Sequence, residues 1–268
     1  MVSNVQNRLA AAFPELDKTA IPSVANVIQT LIKGVNAKYH NNSHISKTDF
    51  TFITTFLSTH HALSSNPLKK ENFEFALEYA FRIQGKVVPE STDPTRRGAD
   101  VMCDGHRFSL KTTSTKDNAV PLTVDISKFA ESRWLREPLQ AENFDQLLEK
   151  TKEALTSHLN EYETVLMLQS HKNEIGGKKC THYMLYELPK TIFSAVNNLT
   201  VERFSQMYLV AKARIPVGSN KRPQTVTAPL TVNNTVIGNI SLDGSVEKLR
   251  FLSISLTACN LLAEWHFE

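Results

Sequence analysis

The sequence predicts an α/β fold in which a mixed sheet is flanked by helices and preceded by a helical N-terminal portion. Apolar residues recur at helical spacing through the first third of the chain, and the pattern then changes to short extended segments around Asp104-Gly105. The chain has 268 residues, of which 41% are hydrophobic and 21% charged. These values suit one large globular domain or two small ones, with an ample core.

The first third of the chain carries three amphipathic patterns typical of helices. Residues 20–39, 47–63 and 68–84 each place their apolar side chains on one face. A Ser-Asn-Pro sequence at 65–67 separates the second pattern from the third. Gly85 follows the third pattern and is suited to a C-terminal cap. We therefore expect three consecutive helices in this region.

A hairpin is predicted next, because Asp104-Gly105 stands between the extended segments 99–103 and 106–113. Asp-Gly between two such segments is the strongest short-range signal for a tight antiparallel turn. A two-residue turn fixes four residue pairs across the hairpin: Cys103 with His106, Met102 with Arg107, Val101 with Phe108, and Asp100 with Ser109.

The remaining elements are expected as follows. The helical patterns are a short one over 125–136, a longer one over 143–160 and a partly helical stretch over 191–213. The strand candidates lie at 86–89, 162–168, 183–188, 235–241 and 249–258. Residues 176–179 indicate a turn, and residues 215–235 form a polar stretch that contains proline.

Charge is segregated along the chain. Residues 137–163 contain seven acidic and two basic residues, whereas residues 171–222 contain nine basic and three acidic residues. A positive surface attracts a polyanion and releases its counterions. The alternative is an ordinary solvated surface on which the charges cluster by chance.

Several protein classes are disfavoured by composition. There is no run of about 18 apolar residues and no secretory signal pattern at the start of the sequence, so we expect a cytoplasmic protein without a membrane span. The cysteines, Cys103, Cys180 and Cys259, are few and far apart. This spacing argues against a disulfide framework and against a zinc cluster.

The hairpin is also the best candidate for a reactive site. Alternation of side chains puts Asp100, Ser109 and Lys111 on one face, while Val101 and Phe108 share the apolar face with Leu110. A carboxylate, supplemented by the carbonyl of Leu110, suits a hard divalent cation such as Mg²⁺. A lysine beside the metal can orient a water and stabilise charge on a phosphate. The alternative is a surface salt bridge on a hairpin.

This arrangement of Asp100, eight residues, then Ser109-Leu110-Lys111 resembles the nuclease core of the PD-(D/E)XK superfamily, which includes most type II restriction endonucleases. Asn72-Phe73-Glu74 in the helix upstream is similar to a helical element that precedes this core in many members. The resemblance covers residues 68–188. It implies a restriction-endonuclease-like core, Mg²⁺ as cofactor, and catalytic roles for Asp100, Ser109, Lys111 and Glu74.

The sequence departs from the family pattern at two positions. Ala99 occupies the place of a loosely kept proline. Ser109 stands where the second acidic residue usually lies, and some restriction enzymes with Ser or Thr there recruit a glutamate from the following helix. Glu131, placed on the expected helix over 125–136, and Glu74 are therefore both candidates to complete a metal site formed by Asp100 and the Leu110 carbonyl.

Basic residues in loops are the candidates for DNA contact, since arginine and lysine bind phosphates and read guanine edges. Each of these loops can also be an ordinary solvated turn. The candidates are Arg96, Arg97, Lys178, Lys179, Lys221 and Arg222.

The leading hypothesis is a Mg²⁺-dependent type II restriction endonuclease that cleaves double-stranded DNA. The expected organisation is one domain with a helical portion over 1–67, a nuclease core over 68–188 and DNA-recognition strands over 189–268. The resemblance also implies a homodimer, because such enzymes commonly read palindromes. The alternatives are a repair or structure-specific nuclease of the same fold, a non-catalytic DNA-binding module, and a protein with no DNA role.

Overall fold

The computed structural model describes residues 2–15, 17–89, 99–115, 121–175, 178–216 and 222–267. The helices in this part of the chain are α1 Val2–Ala12, α2 Ile21–Lys33, α3 Lys47–Leu63, α4 Lys70–Ile83, α5 Arg136–Ala141, α6 Phe144–Leu159, α7 Lys190–Ser194 and α8 Val201–Lys212. The strands are β1 Asn36–Tyr39, β2 Val101–Cys103, β3 His106–Thr115, β4 Thr123–Glu131, β5 Thr164–Ile175, β6 Lys178–Leu188, β7 Thr225–Val232, β8 Thr235–Asp243, β9 Lys248–Ser255 and β10 Asn260–Phe267.

A mixed six-stranded sheet forms the centre of the molecule, with the strand order β1-β10-β6-β5-β3-β2. β3 and β5 are parallel, with Leu110 opposite Leu166, and the other neighbours are antiparallel. The chain passes from β3 to its parallel neighbour β5 through β4, α5 and α6. The predicted mixed sheet flanked by helices is therefore confirmed.

A second, four-stranded antiparallel sheet has the strand order β4-β9-β8-β7. Gly238 in β8 has φ near 158°, and a Cβ at this position would lie 3.1 Å from the Ile254 Cα in β9. Glycine at this position therefore permits the close approach of the two strands.

The two faces of the central sheet contribute to two hydrophobic cores. On one face, Leu110 and Leu166 pack with side chains of α3 and α4 such as Leu57 and Phe73. On the other face, Met167 and Tyr186 share a core with α6, α7, α8 and the second sheet. The hairpin of β2 and β3 is therefore held from one side by α4, which leaves its other face directed toward α6 and β4.

The predicted helix over 125–136 is wrong, because residues 123–131 form the strand β4. β4 pairs with β9 with register shifts between Val124 and Ile126 and between Ile126 and Ala130. These irregularities place Ile126 and Phe129, three residues apart, in the same core. The apolar spacing of a bulged strand therefore matched the spacing of a helix.

Other predictions are corrected at element ends and in the last third. The helix expected over 20–39 ends at Lys33, where Gly34 with φ of 73° caps it, and residues 36–39 are strand β1. Residues 86–89 are not a strand. The polar stretch over 215–235 contains the edge strand β7, and the sequence reasoning missed the strand β10.

The helices expected over 47–63, 68–84 and 143–160 are confirmed as α3, α4 and α6. Across the described ranges, no helix combines the length and the apolar character needed to cross a bilayer.

Candidate active site

The Asp104-Gly105 turn forms the hairpin that the sequence predicts. Asp104 and Gly105 have φ values of 49° and 81°, so both turn residues adopt the left-handed region. β2 pairs with β3 in the predicted register, which brings Val101 opposite Phe108. The carboxylate of Asp104 also accepts a hydrogen bond from the Val87 N–H over 2.9 Å, which ties the turn to the chain after α4.

Within the described part of the chain, three donors hold the carboxylate of Asp100. The backbone N–H of Leu110 donates to Oδ2 over 2.5 Å, and Ser109 Oγ donates to the same oxygen over 3.3 Å. Lys70 Nζ donates to Oδ1 over 2.6 Å. The N–H and C=O of one residue in an extended strand point to the same side, so the Leu110 carbonyl also faces the edge where Asp100 lies.

Glu74 joins this group from α4. Its Oε1 lies 3.0 Å from Lys70 Nζ, so one ammonium links the carboxylates of Glu74 and Asp100. Burial, followed by the nearby charge of Asp100, raises the pKa of Glu74 against the opposing effect of Lys70. Burial alone would lower the pKa of Lys70, but its hydrogen bonds and attraction to the two carboxylates outweigh burial and raise it.

Lys111 lies on the same sheet face, with a different environment. Burial lowers the pKa of its ammonium, and the attraction of Asp100 offsets this only in part. Its Nζ lies 6.0 Å from the centre of the Phe129 ring, and no carboxylate among the described residues forms an ion pair with it. Lys111 is therefore a half-buried amine without an ion-pair partner in that part of the chain.

Lys70 and Lys111 both line a cleft of about 810 Å³ between the hairpin, β4 and α6. Its other wall includes His158 and Glu161, whose Nδ1 and Oε2 atoms lie 3.1 Å apart. Burial lowers the pKa of His158, although Glu161 acts in the opposite direction. The cleft thus combines carboxylates, amines and an imidazole beside one open volume.

Comparison with known proteins identifies the family of this chain. Residues 9–217 match the SmaI family model, described as type II site-specific deoxyribonuclease. The chain is also 26% identical over 213 residues to the type II restriction enzyme SmaI of Serratia marcescens, which covers 79% of this chain and 76% of that enzyme. No solved structure matches.

The chain belongs to the SmaI family of type II site-specific deoxyribonucleases. It is therefore a type II restriction endonuclease, whose substrate is double-stranded DNA. The matched region contains the hairpin, α4 and α6, so it includes every element that lines the cleft. This membership favours the restriction hypothesis over a repair nuclease and over a binding module without catalysis.

Type II restriction enzymes generally use a divalent metal ion. Within the described residues, no group of three or more His, Cys, Asp or Glu side chains is arranged to hold a metal. The possible metal ligands at the hairpin are instead the carboxylates of Asp100 and Glu74 and the backbone carbonyl of Leu110. This set fits Mg²⁺, which is usually bound by one or two protein carboxylates, with water and substrate phosphate completing its coordination.

The sequence candidates for completing this site differ in position. Ser109 is buried and donates to Asp100, and Glu74 shares Lys70 with Asp100. Glu131 does not lie on a helix, because it ends the strand β4. Its side chain is 59% exposed, pairs with Lys128 over 3.1 Å and lies at the wall of the cleft.

Most of the basic side chains that are candidates for DNA contact lie outside the described part of the chain. Arg96, Arg97 and Lys221 lie outside the described residues, as do the side chains of Lys178 and Lys179. Arg222 is described, and its Nη1 donates to the carbonyl oxygen of Gln140. Arg222 also lines a second hollow of about 610 Å³, together with Arg136.

Sequence reasoning missed two residues of the cleft. Lys70 was visible only as a charge four residues before Glu74, which is the spacing of a helical ion pair. His158 carries no sequence signal of its own, since it reaches the cleft only because α6 packs across the hairpin face.

Proposed function

We propose that this restriction endonuclease has a PD-(D/E)XK nuclease core and hydrolyses phosphodiester bonds with Mg²⁺ at the Asp100 hairpin. One observation carries the proposal: the carboxylates of Asp100 and Glu74 converge on a single cation position, 2.6 and 3.0 Å from the same Lys70 Nζ. Lys111, half-buried and without an ion pair among the described residues, lies on the sheet face that Asp100 and Ser109 share.

The proposed metal-binding groups are Asp100, Glu74 and the Leu110 carbonyl. The Leu110 N–H and Ser109 Oγ both donate to Asp100 Oδ2, which fixes the orientation of this carboxylate. When bound, Mg²⁺ supplies positive charge that offsets the charge developing on the phosphate. Ser109 acts here by holding Asp100, in place of the acidic residue usual at its position.

Lys111 is the proposed group that positions the attacking water for in-line attack on phosphorus. Burial lowers the pKa of its ammonium, so a larger fraction is neutral than for a solvated lysine and can accept a proton from that water. In its charged form the same Nζ stabilises negative charge on the phosphate.

Glu74 is preferred over Glu131 as the second carboxylate. Glu74 is 27% exposed and already shares a cation with Asp100, whereas Glu131 is 59% exposed and pairs with Lys128. Glu131 was a candidate because a helix was expected after the hairpin, but this segment forms the strand β4.

The DNA-binding surface is proposed to include six basic residues that the sequence places in loops. The expected phosphate or base contacts are Arg96, Arg97, Lys178, Lys179, Lys221 and Arg222. The segment that contains Arg96 and Arg97 leads directly into Asp100, so a DNA strand that reaches Asp100 must pass near it.

A homodimer is the proposed functional form. A twofold dimer presents two equivalent sites to the two strands of a palindrome, so dimer symmetry matches site symmetry. Light scattering coupled to gel filtration tests this form, with a mass of twice 30.1 kDa as the expected result. A monomeric mass with and without DNA would contradict it.

Plasmid cleavage tests the proposed site. The wild-type protein with Mg²⁺ is expected to give discrete fragments from a panel of plasmids, and EDTA is expected to abolish them. Asp100→Asn and Lys111→Met are expected to be inactive, whereas Glu131→Gln serves as the matched carboxylate control. Full cleavage by both Asp100→Asn and Lys111→Met would refute the proposed site.

A further inference from the structure

Lys70 occupies a position that no role in the proposed reaction accounts for. Its Nζ lies 2.6 Å from Asp100 Oδ1 and 3.0 Å from Glu74 Oε1, which are the two carboxylates proposed to bind Mg²⁺. The side chain is 36% exposed and lines the same cleft as Lys111. An ammonium of the protein therefore stands where the two carboxylates converge.

This ammonium compensates two negative charges that would otherwise face each other. Asp100 and Glu74 repel, and the charge of Asp100 raises the pKa of Glu74. Placing Lys70 between them satisfies both carboxylates by charge-assisted hydrogen bonds. The DNA-free protein thus has an internal cation at this position.

The ammonium and a divalent ion compete for the same oxygens. A divalent ion bound to Asp100 and Glu74 needs oxygen lone pairs that accept hydrogen bonds from Lys70 in the DNA-free protein. A divalent ion and the Lys70 ammonium at the same two carboxylates would also repel each other strongly. Lys70 must therefore move when such an ion binds. Because the side chain of Lys70 borders the cleft, its ammonium can then bind a phosphate of DNA that enters the cleft.

We propose that Lys70 is a positioning residue that holds the metal site closed to cations until DNA is bound. It occupies the cation position in the DNA-free protein and moves to a backbone phosphate when DNA enters the cleft. Lys70 thereby couples metal binding to DNA binding, and by linkage each ligand strengthens the other. This inference depends on the proposed function of Asp100 and Glu74.

Calcium titration in the absence of DNA gives the first test. Calorimetry of Ca²⁺ binding is compared for the wild type, Lys70→Met, Asp100→Asn and the matched control Lys69→Met, which removes an exposed charge next to Lys70. Lys70→Met is expected to bind Ca²⁺ about tenfold more tightly, within the usual range of site-to-site coupling. Lys69→Met is expected to match the wild type.

The coupling to DNA gives the second test. A duplex taken from a mapped cleavage site is expected to tighten Ca²⁺ binding strongly in the wild type and much less in Lys70→Met. If Lys70 only stabilised the fold, the duplex would tighten Ca²⁺ binding by the same factor in Lys70→Met and in the wild type. Equal factors would therefore overturn the inference.

The outcomes separate this inference from the proposed function. Unchanged or weaker Ca²⁺ binding by Lys70→Met, with binding abolished in Asp100→Asn, would overturn the role of Lys70 and leave the metal site in place. Ca²⁺ binding that is the same in Asp100→Asn and the wild type would overturn both. Thermal unfolding in EDTA verifies that each variant is folded before titration.

Discussion

Two polar clusters lie beside the central sheet, and they differ in how the burial of their polar groups is compensated. The first is the hairpin cluster of Asp100, Glu74, Lys70 and Lys111. Its two carboxylates share one ammonium, and Asp100 also accepts a backbone N–H. Opposite charge and hydrogen bonds therefore offset the cost of burying the two carboxylates and Lys70.

The second cluster is a histidine row formed by His171, His182 and His266 on three neighbouring strands. These residues are paired in register, with ring centres 4.7 and 4.1 Å apart. His171 is buried, and neither of its ring nitrogens has a hydrogen-bond partner among the described residues. Burial, followed by the neighbouring histidines, lowers the pKa of His182 to about 4.

The difference supports the hairpin cluster as the proposed reactive site. In the hairpin cluster, the carboxylates and Lys70 compensate each other's charge. Lys111 has no ion pair among the described residues, so its amine is available to contact the substrate. Burial lowers the pKa of His171 and of His182, and the histidine row lies outside the residues that line the cleft, so we expect it to affect stability rather than cleavage. Substitutions in the two clusters should therefore affect different properties.

The largest effect is expected from Asp100→Asn. Removing the charge takes the carboxylate acceptor from the Leu110 N–H, leaves Lys70 paired with Glu74 alone and removes the proposed metal ligand, so plasmid cleavage should fall roughly 10³-fold. Binding of DNA, measured by gel shift, should persist. Cleavage within tenfold of the wild type would remove Asp100 from the reaction.

Lys111→Met should separate activity from stability. Cleavage should fall about 10²-fold or more, because the water loses its positioning amine. The free energy of unfolding should rise by about 1 kcal/mol, since an apolar side chain replaces a half-buried amine without an ion pair among the described residues. Urea denaturation measures the second quantity, and a decrease would indicate that Lys111 stabilises the fold.

Glu74→Gln and Glu131→Gln form a matched pair that sharpens the assignment of the second carboxylate. Glu74→Gln should reduce cleavage about 10- to 100-fold at limiting Mg²⁺, with partial recovery at high Mg²⁺. Glu131→Gln, at an exposed position, should stay within about twofold of the wild type. The reverse order of effects would restore Glu131 as the metal ligand.

The smallest effect is expected from the histidine row, and it concerns pH. His182 binds a proton below about pH 4 when folded and near its ordinary value of 6.5 when unfolded. The unfolded chain therefore takes up more protons between these values, and stability falls as the pH is lowered from 6.5 toward 4. His61, with a pKa lowered to about 4, contributes in the same direction.

His182→Asn should reduce this loss of stability without changing cleavage at neutral pH. The melting temperature measured at pH 7.5 and pH 5 gives the slope for the variant and the wild type. Equal slopes would show that His182 is protonated to the same degree in both states.

The hairpin and the helices around it could be predicted because their signals are local. Asp104-Gly105 specifies its own turn, and the apolar stripe of α4 matches its buried face at Phe73 and Leu77. The face shared by Asp100 and Lys111 follows from the turn register alone. These features need no information from distant parts of the chain.

The errors arise where distant pairing decides the structure. β4 is a strand because β9 pairs with it across irregular register, and its apolar spacing alone matched a helix. No strand was predicted in the polar, proline-containing stretch over 215–235, yet β7 forms the edge of the second sheet, where the missing N–H of Pro229 is tolerated. Lys70 and His158 join the cleft only through packing of α4 and α6, which the sequence does not display.

The most direct test of the central claim is metal-directed cleavage of the polypeptide. Fe²⁺ in place of Mg²⁺, with ascorbate and peroxide, produces radicals that cut the backbone next to the bound ion, and mass spectrometry locates the cuts. We predict cuts around residues 74, 100 and 110 that disappear in Asp100→Asn. Cuts confined to the histidine row or to β4 would contradict a metal site at the hairpin.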